Sequence, residues 1–209
     1  MLKVTARLFE IVFIFMSLSA CSKENHLNTI QPIELSDEKH RVVFELLSSY
    51  QAIKVDNTLM KFRCRYPNME PLNPNGYPEN DDINIYVTLG SYVGRTENMI
   101  SEATDHFDPS RPVREYFAGK DGQFDIYKSI NGYGKSNPVE ITTFVFKATD
   151  GAMVSIEDLG QSFETYHAQR KLGDHLHIKY SIAKKIGKDF IEIDKVVTNF
   201  IKDNFKEIK

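Results

Sequence analysis

The stretch Phe163-Glu164-Thr165-Tyr166-His167-Ala168-Gln169-Arg170-Lys171-Leu172-Gly173-Asp174-His175-Leu176-His177-Ile178-Lys179-Tyr180-Ser181-Ile182-Ala183 decides the expected fold. Leu176, Ile178, Tyr180 and Ile182 recur at every second residue, the period at which one face of a strand meets a core. Gly173-Asp174 separates two runs of strand length and marks a tight turn. An antiparallel hairpin is therefore predicted, pairing 163–172 with 176–183.

The same signals continue upstream. Thr149-Asp150-Gly151-Ala152 is a second hairpin turn between a Thr-, Val- and Phe-rich run, Val139 to Ala148, and a return strand from Met153 to Ile156. Phe124 and Ile126 mark an earlier strand. Ile83, Ile85, Val87 and Leu89 alternate cleanly, and Met60, Phe62, Cys64 and Tyr66 alternate with Lys61, Arg63 and Arg65. Three helices are predicted. Ser36 as cap, followed by Val42, Val43, Leu46, Leu47 and Tyr50, gives one over 37–53. Met99, Ile100, Ala103 and Phe107 give one over 96–107, ended by Asp108-Pro109. Asp189 as cap, with Glu192 three residues on, opens a third carrying Phe190, Ile193, Val197, Phe200, Ile201 and Phe205 on one face.

The expected class is α+β: a single antiparallel sheet covered by helices, closed by a C-terminal amphipathic helix. In element order, residues 58–208 resemble the Mog1/PsbP-like α/β/α fold. The resemblance rests on Phe62-Arg63-Cys64-Arg65-Tyr66-Pro67, the strand and helix of 83–107, the hairpins, and Ile193 to Phe205.

The first 21 residues carry a different message. Lys3 and Arg7 precede an apolar run around Ile11-Val12-Phe13-Ile14-Phe15-Met16. That run is too short to cross a hydrocarbon core, which takes about 20 helical residues. Short apolar runs ending in small residues are export signals. Leu18-Ser19-Ala20-Cys21 follows, and it resembles the lipobox of bacterial lipoproteins. The resemblance implies a signal peptide over 1–20 and a Cys21 that carries diacylglycerol and an amino-linked acyl chain such as palmitate. Two or more chains anchor stably, because each buried methylene adds about 0.8 kcal/mol. In that family an Asp after the cysteine favours retention in the inner membrane. Ser22 stands there, which implies an outer-membrane location facing the periplasm. Residues 21–35 read as the lipidated cysteine and a flexible tether, and 36–209 as one domain.

Loss of Lys3, Arg7 and Glu10 with the signal leaves 24 basic against 28 acidic residues, a net charge of −4. No basic excess points to nucleic acid. With Cys21 acylated, Cys64 has no internal disulfide partner, and its apolar strand position reads as a buried structural thiol.

Catalytic patterns are absent. There is no Gly-x-Ser-x-Gly elbow, no His-Glu-x-x-His and no phosphate-binding glycine loop. His175 and His177 lie two apart, with His167 on the facing strand, but Lys171 and Lys179 share that face and oppose a cation. The acid pairs Asp81-Asp82 and Glu157-Asp158 read as solvated loop residues. The chain is therefore expected to be no enzyme and to hold no metal or cofactor. Recognition remains. Loops over 67–82, 109–122 and 130–138 place Tyr77, Tyr116, Phe117 and Tyr133 among Asn, Gly, Pro and Ser, as binding loops do; the bland reading is that these rings pin the loops down. The stripe Lys61, Arg63, Arg65 is either a solvated strand face or a partner surface.

Lipobox, short tether and one motif-free domain together are similar to type VI secretion immunity lipoproteins. That resemblance implies a membrane-anchored module that binds and neutralises a secreted antibacterial effector. The alternative is an envelope assembly or maintenance lipoprotein that binds a membrane-protein partner or an apolar ligand.

Overall fold

The predicted hairpin is the centre of the molecule. In the computed structural model, which describes residues 29–72, 81–90, 94–111 and 115–208, strand β11 (Thr165–Leu172) pairs antiparallel with β12 (Leu176–Ala183). Leu176, Ile178, Tyr180 and Ile182 are all buried, as their spacing requires. The lipobox, the signal segment, most of the tether and Tyr77 lie outside the described residues.

The remaining strands are β1 (Ile30–Ser36), β2 (Arg41–Leu47), β3 (Ile53–Lys54), β4 (Leu59–Arg65), β5 (Glu70–Pro71), β6 (Asp82–Leu89), β7 (Tyr116–Asp121), β8 (Phe124–Asn131), β9 (Val139–Lys147), β10 (Met153–Asp158) and β13 (Phe205–Ile208). Among the described residues they form two antiparallel sheets. The larger has ten strands in the order β3-β4-β6-β12-β11-β10-β9-β8-β7, with β5 beside β4; the smaller is β1-β2-β13. Among the described residues the α-helices are α1 (Arg95–Glu102) and α2 (Phe190–Asp203).

The expected α+β architecture is thus corrected to a mostly-β fold of two sheets, and the Mog1/PsbP-like helical layers are not what covers the large sheet. The difference arises at the N-terminal end. Residues predicted as a helix over 37–53 form β2 and a single 3-10 turn at Ser48–Tyr50. Ser36 caps no helix but ends β1, and the Asp37 carboxylate accepts hydrogen bonds from the backbone N–H groups of Lys39 and His40, both at 2.7 Å, and so shapes the β1–β2 turn. Val42, Phe44 and Leu46 then fall on the buried face at a period of two. Residues 30–35, read as the end of a tether, form β1 and bury Ile33 and Leu35. The second predicted helix is real but stops at Glu102.

One face of the large sheet, the inner face, packs under α2. Phe190 at the start of that helix meets Tyr166 at 5.0 Å and Phe144 at 5.4 Å; Phe200 near its end meets Tyr50 at 5.4 Å and Phe62 at 5.8 Å. Asp189 accepts a hydrogen bond from the Glu192 N–H at 3.4 Å, the predicted cap. Phe44 of the small sheet meets Phe205 at 5.5 Å, so β13 carries the core on from α2 into the second sheet. Cys64 is fully buried, and burial, aided by Asp82, pushes its thiol up to about 12.

Candidate binding surface

Period-two alternation that buries one face of β4, β6, β11 and β12 sends the residues between to the other, outer face. Two cross-strand rows define it. The first runs Lys61, Tyr86, Lys179, Gln169, Ser155. The second runs Arg63, Asn84, Ser181, His167, Glu157, Thr143, Tyr127, Phe117. Helix α1 crosses this face. The hydroxyls of Thr96 and Ser155 meet at 2.9 Å in a buried contact, and Lys171 reaches Glu97 at 3.2 Å.

Beside α1 the face is concave. A cavity of about 350 Å³ is lined by Tyr86, Arg95, Glu157, His167, Gln169, Lys179 and Ser181. A second, of about 320 Å³, is lined by Tyr50, Gln51, Ile53, Lys61, Arg63, Leu72, Asn84 and Tyr86. Tyr86 belongs to both and is 41% exposed, a large ring standing in the open between two hollows. Lys61 and Lys179 flank it in register on either side.

The charges at the first cavity are set by partial burial. Burial lowers the Lys179 ammonium from its usual value and the Arg95 guanidinium lowers it further, while Glu157 opposes both. His177, on the same outer face and 2% exposed, is brought down to about 4 by burial, then by Lys179 and Arg95. Arg63 pairs with Asp82 at 2.9 Å and Arg65 with Asp81 at 3.6 Å, so two of the three cations in the β4 stripe belong to ion pairs with the start of the next strand. Burial pushes the Tyr50 phenol up to about 12, and its hydroxyl donates to the Met69 carbonyl at 2.7 Å. Such a surface offers hydrogen bonds and charge to a ligand. Among the described residues no group of three or more His, Cys, Asp or Glu is placed to hold a metal ion. The three histidines considered for zinc are dispersed: His167 is exposed, His177 is buried, and His175 stacks on His40 at 4.7 Å.

The aromatic residues singled out in the loops divide between two places. Phe117, 36% exposed, ends the second outer-face row and packs edge-on against Tyr127 at 5.6 Å. Tyr116, one residue earlier, points the other way; it meets Phe107 at 6.1 Å, and Phe107 meets Tyr133 at 5.1 Å. Tyr133 remains 50% exposed. Tyr116 and Tyr133 are therefore brought together around Phe107, and Phe117 is not part of that cluster. Sequence reasoning missed Tyr86 and Arg95, and it named Lys179 only as a charge opposing a metal. Tyr86 and Lys179 were findable as the outward partners of core residues on β6 and β12. Arg95 was not, because only the docking of α1 carries it to the sheet.

No protein-family model matches the chain, and no curated protein matches it. Solved structures do. Smlt3025, an immunity protein of the Stenotrophomonas maltophilia type IV secretion system, superposes with a TM-score of 0.56 at 13% identity, covering 88% of this chain and 97% of that one. The Neisseria meningitidis iron-regulated outer membrane lipoprotein FrpD gives a TM-score of 0.45 at 8% identity, covering 87% and 99%. At this identity the likeness to Smlt3025 is one of fold. Among the described residues no helix is long and apolar enough to cross a membrane.

Proposed function

We propose that this chain is a lipid-anchored envelope protein that binds and neutralises an antibacterial effector delivered by a secretion system. The observation that carries the reading is the shared fold with Smlt3025, over nearly the full length of both chains. Two features of the chain itself support it. The surface presents exposed Tyr86, Phe117 and Tyr133 among polar and charged groups, the composition of protein-recognition patches. The lipobox Leu18-Ser19-Ala20-Cys21 supplies a means of holding the domain at the periplasmic face of the outer membrane, where an incoming effector is met. Mass spectrometry of the native protein reads the anchor directly: a cleaved chain beginning at acylated Cys21 is expected.

The test is protection. Each gene flanking this one is expressed with periplasmic targeting in a susceptible bacterium, with and without the full chain. One flanking product is expected to kill, and the chain to restore growth and co-purify with it. If no flanking product kills, or none that kills is countered, the immunity reading is wrong.

A further inference from the structure

The fold shortens the link between domain and anchor. Residues 30–35, read as tether, belong to β1. The chain enters the fold at Thr29, whose carbonyl accepts a hydrogen bond from the Ser48 N–H at 2.8 Å. Eight residue steps separate Thr29 from Cys21, and full extension over that length spans at most about 30 Å. A folded body of this size has a radius of gyration of roughly 16 Å, hence a diameter of about 40 Å and a half-circumference of about 60 Å. The link is too short to run round it. With Cys21 held in a bilayer, the surface around Thr29 therefore stays on the bilayer side of the domain.

That surface is aliphatic. Among the described residues the exposed large aliphatic side chains are Ile30, Leu47, Ile53, Val55 and Val139, with Ile30 63% and Ile53 54% exposed. All but Val139 lie between residues 30 and 55. Ile30 and Leu47 are cross-strand partners, three positions along from the buried pair Ile33 and Phe44, so they face the opposite way, outward. Leu47 leads into the turn Ser48–Tyr50, and Ser49, Tyr50 and Ile53 line one hollow. β3, which carries Ile53, runs beside β1. The Ser36 N–H donates to the Asn57 carbonyl at 2.7 Å, and the Glu34 carboxyl is held below its usual value by Arg41 first and by Lys54 as well. β1 and β3 are each an edge of their sheet.

We propose that the β1–β3 edge, bearing Ile30, Leu47, Ile53 and Val55, seats on the phospholipid bilayer that holds the anchor and so orients the domain. This rests on the lipid-anchored reading above and adds to it which surface faces the membrane. The chemistry fits lipid better than a protein partner. Aliphatic side chains enter the boundary between headgroups and acyl chains, whereas protein-recognition patches are enriched in aromatic residues. The exposed rings Phe117, Tyr133 and Phe163 all lie on later parts of the chain. The short link also keeps the bilayer always within reach, so a weak contact is enough to hold one orientation. β3 and β7 stand at the two ends of the large sheet, eight strand spacings or roughly 40 Å apart along it. With β3 at the lipid, Phe117 on β7 is displayed away from the membrane, toward an incoming effector.

The test uses the full lipidated chain, purified from membranes and reconstituted into vesicles of phosphatidylethanolamine and phosphatidylglycerol that contain nitroxide-labelled lipid. A fluorophore is attached at Ile53→Cys or, as control, at Lys120→Cys, an exposed position on β7; Cys64 is buried and does not compete. Emission at position 53 is expected to be quenched at least about two-fold more than at position 120. The difference should persist at high salt, because aliphatic contact is not screened. Adding Leu47→Asp and Val55→Asp, with a melting curve to show the fold intact, should bring the signal at position 53 to the control level. Equal quenching at the two positions, quenching lost at high salt, or contact between labels on two copies in place of lipid overturns the membrane-contact surface and leaves the anchor standing. Mass spectrometry of the same preparation reads the anchor by itself: a Cys21 without acyl chains overturns anchor and orientation together. A protection assay that fails while position 53 is quenched by lipid sinks the immunity reading alone.

Discussion

Arg170 and Asp194 meet at 2.5 Å between β11 and α2, with side chains only 1% and 3% exposed. Arg170 stands in a row of the inner face that otherwise holds Val154, Ile178 and Val87, so a cation occupies the middle of the core. Its donors are all used: Thr198 accepts at 3.1 Å, Asp150 accepts through both carboxylate oxygens, and the Lys171 carbonyl accepts from Nε at 3.0 Å. Tyr180 donates to the second oxygen of Asp194 at 2.9 Å. The network ties the hairpin turn at Asp150, the central strand and the C-terminal helix to one another.

Removal of one member leaves a charge buried without its partner, which costs about 3–5 kcal/mol, whereas joint replacement by apolar residues costs far less. Asp194→Ala is expected to lower the unfolding free energy, read from urea denaturation, by that amount. The Arg170→Met, Asp194→Leu pair should recover most of the loss. A double variant as unstable as the single one would show that the pair contributes more than the absence of an orphan charge.

Stability should fall as the pH drops from about 6.5 to about 4. His177 is neutral in the fold because burial, with Lys179 and Arg95, lowers it to about 4, whereas an unfolded histidine titrates near 6.5. The unfolded state therefore binds the extra proton first, and up to about 3 kcal/mol is lost across that window. Asp150 works in a lower range. Burial raises it, but hydrogen bonds from Arg170 and Lys202 overcome this and hold it at about 2, so its contribution is intact above about 4. Urea unfolding at pH 7.5, 5.5 and 4.5 should show the decline, and His177→Gln should flatten it.

The Cys64 thiol is expected to be inert while the protein is folded. It is buried beside Met69 at 3.9 Å, and a thiol pushed to about 12 supplies almost no thiolate at neutral pH. Iodoacetamide labelling read by peptide mass spectrometry should modify Cys64 only after denaturation. Rapid native labelling would contradict the core assignment.

Phe117 on β7 should matter to partner binding more than Tyr133 between β8 and β9. Phe117 lies on the row that carries Glu157 and His167, whereas Tyr133 leans on Phe107 at the end of the sheet. With the cognate effector, Phe117→Ala is expected to weaken binding about ten-fold and Tyr133→Ala about two-fold or less, by calorimetry. The reverse order would move the contact to the Tyr116–Phe107–Tyr133 cluster.

The Asp189 cap is worth about 1 kcal/mol to α2. Asp189→Ala should lower the melting temperature by about 2–4 °C for a domain of this size. No change would mean that the packing of Phe190 alone fixes where the helix begins.

What the chain declares locally was legible without coordinates. The hairpin through Gly173, the turn at Asp150-Gly151, the strand holding Cys64 and the capped C-terminal helix all follow from side-chain period and turn chemistry, which depend on near neighbours alone. Residues 37–53 were not legible, because Val42, Leu46 and Tyr50 satisfy a helical spacing while Val42, Phe44 and Leu46 satisfy a strand spacing equally well. Tertiary pairing decides between them. β2 is held by β1 on one side and on the other by β13, where Lys206 reaches Glu45 at 2.6 Å across 161 residues of sequence. The concave outer face has the same origin. Lys61, Tyr86 and Lys179 come from three strands and Arg95 from a helix, and only the folded sheet sets them side by side. Hydrogen bonding and packing between distant segments are not encoded in any window of neighbouring residues, so the sequence alone determined the elements and the tertiary structure decided the surface they make.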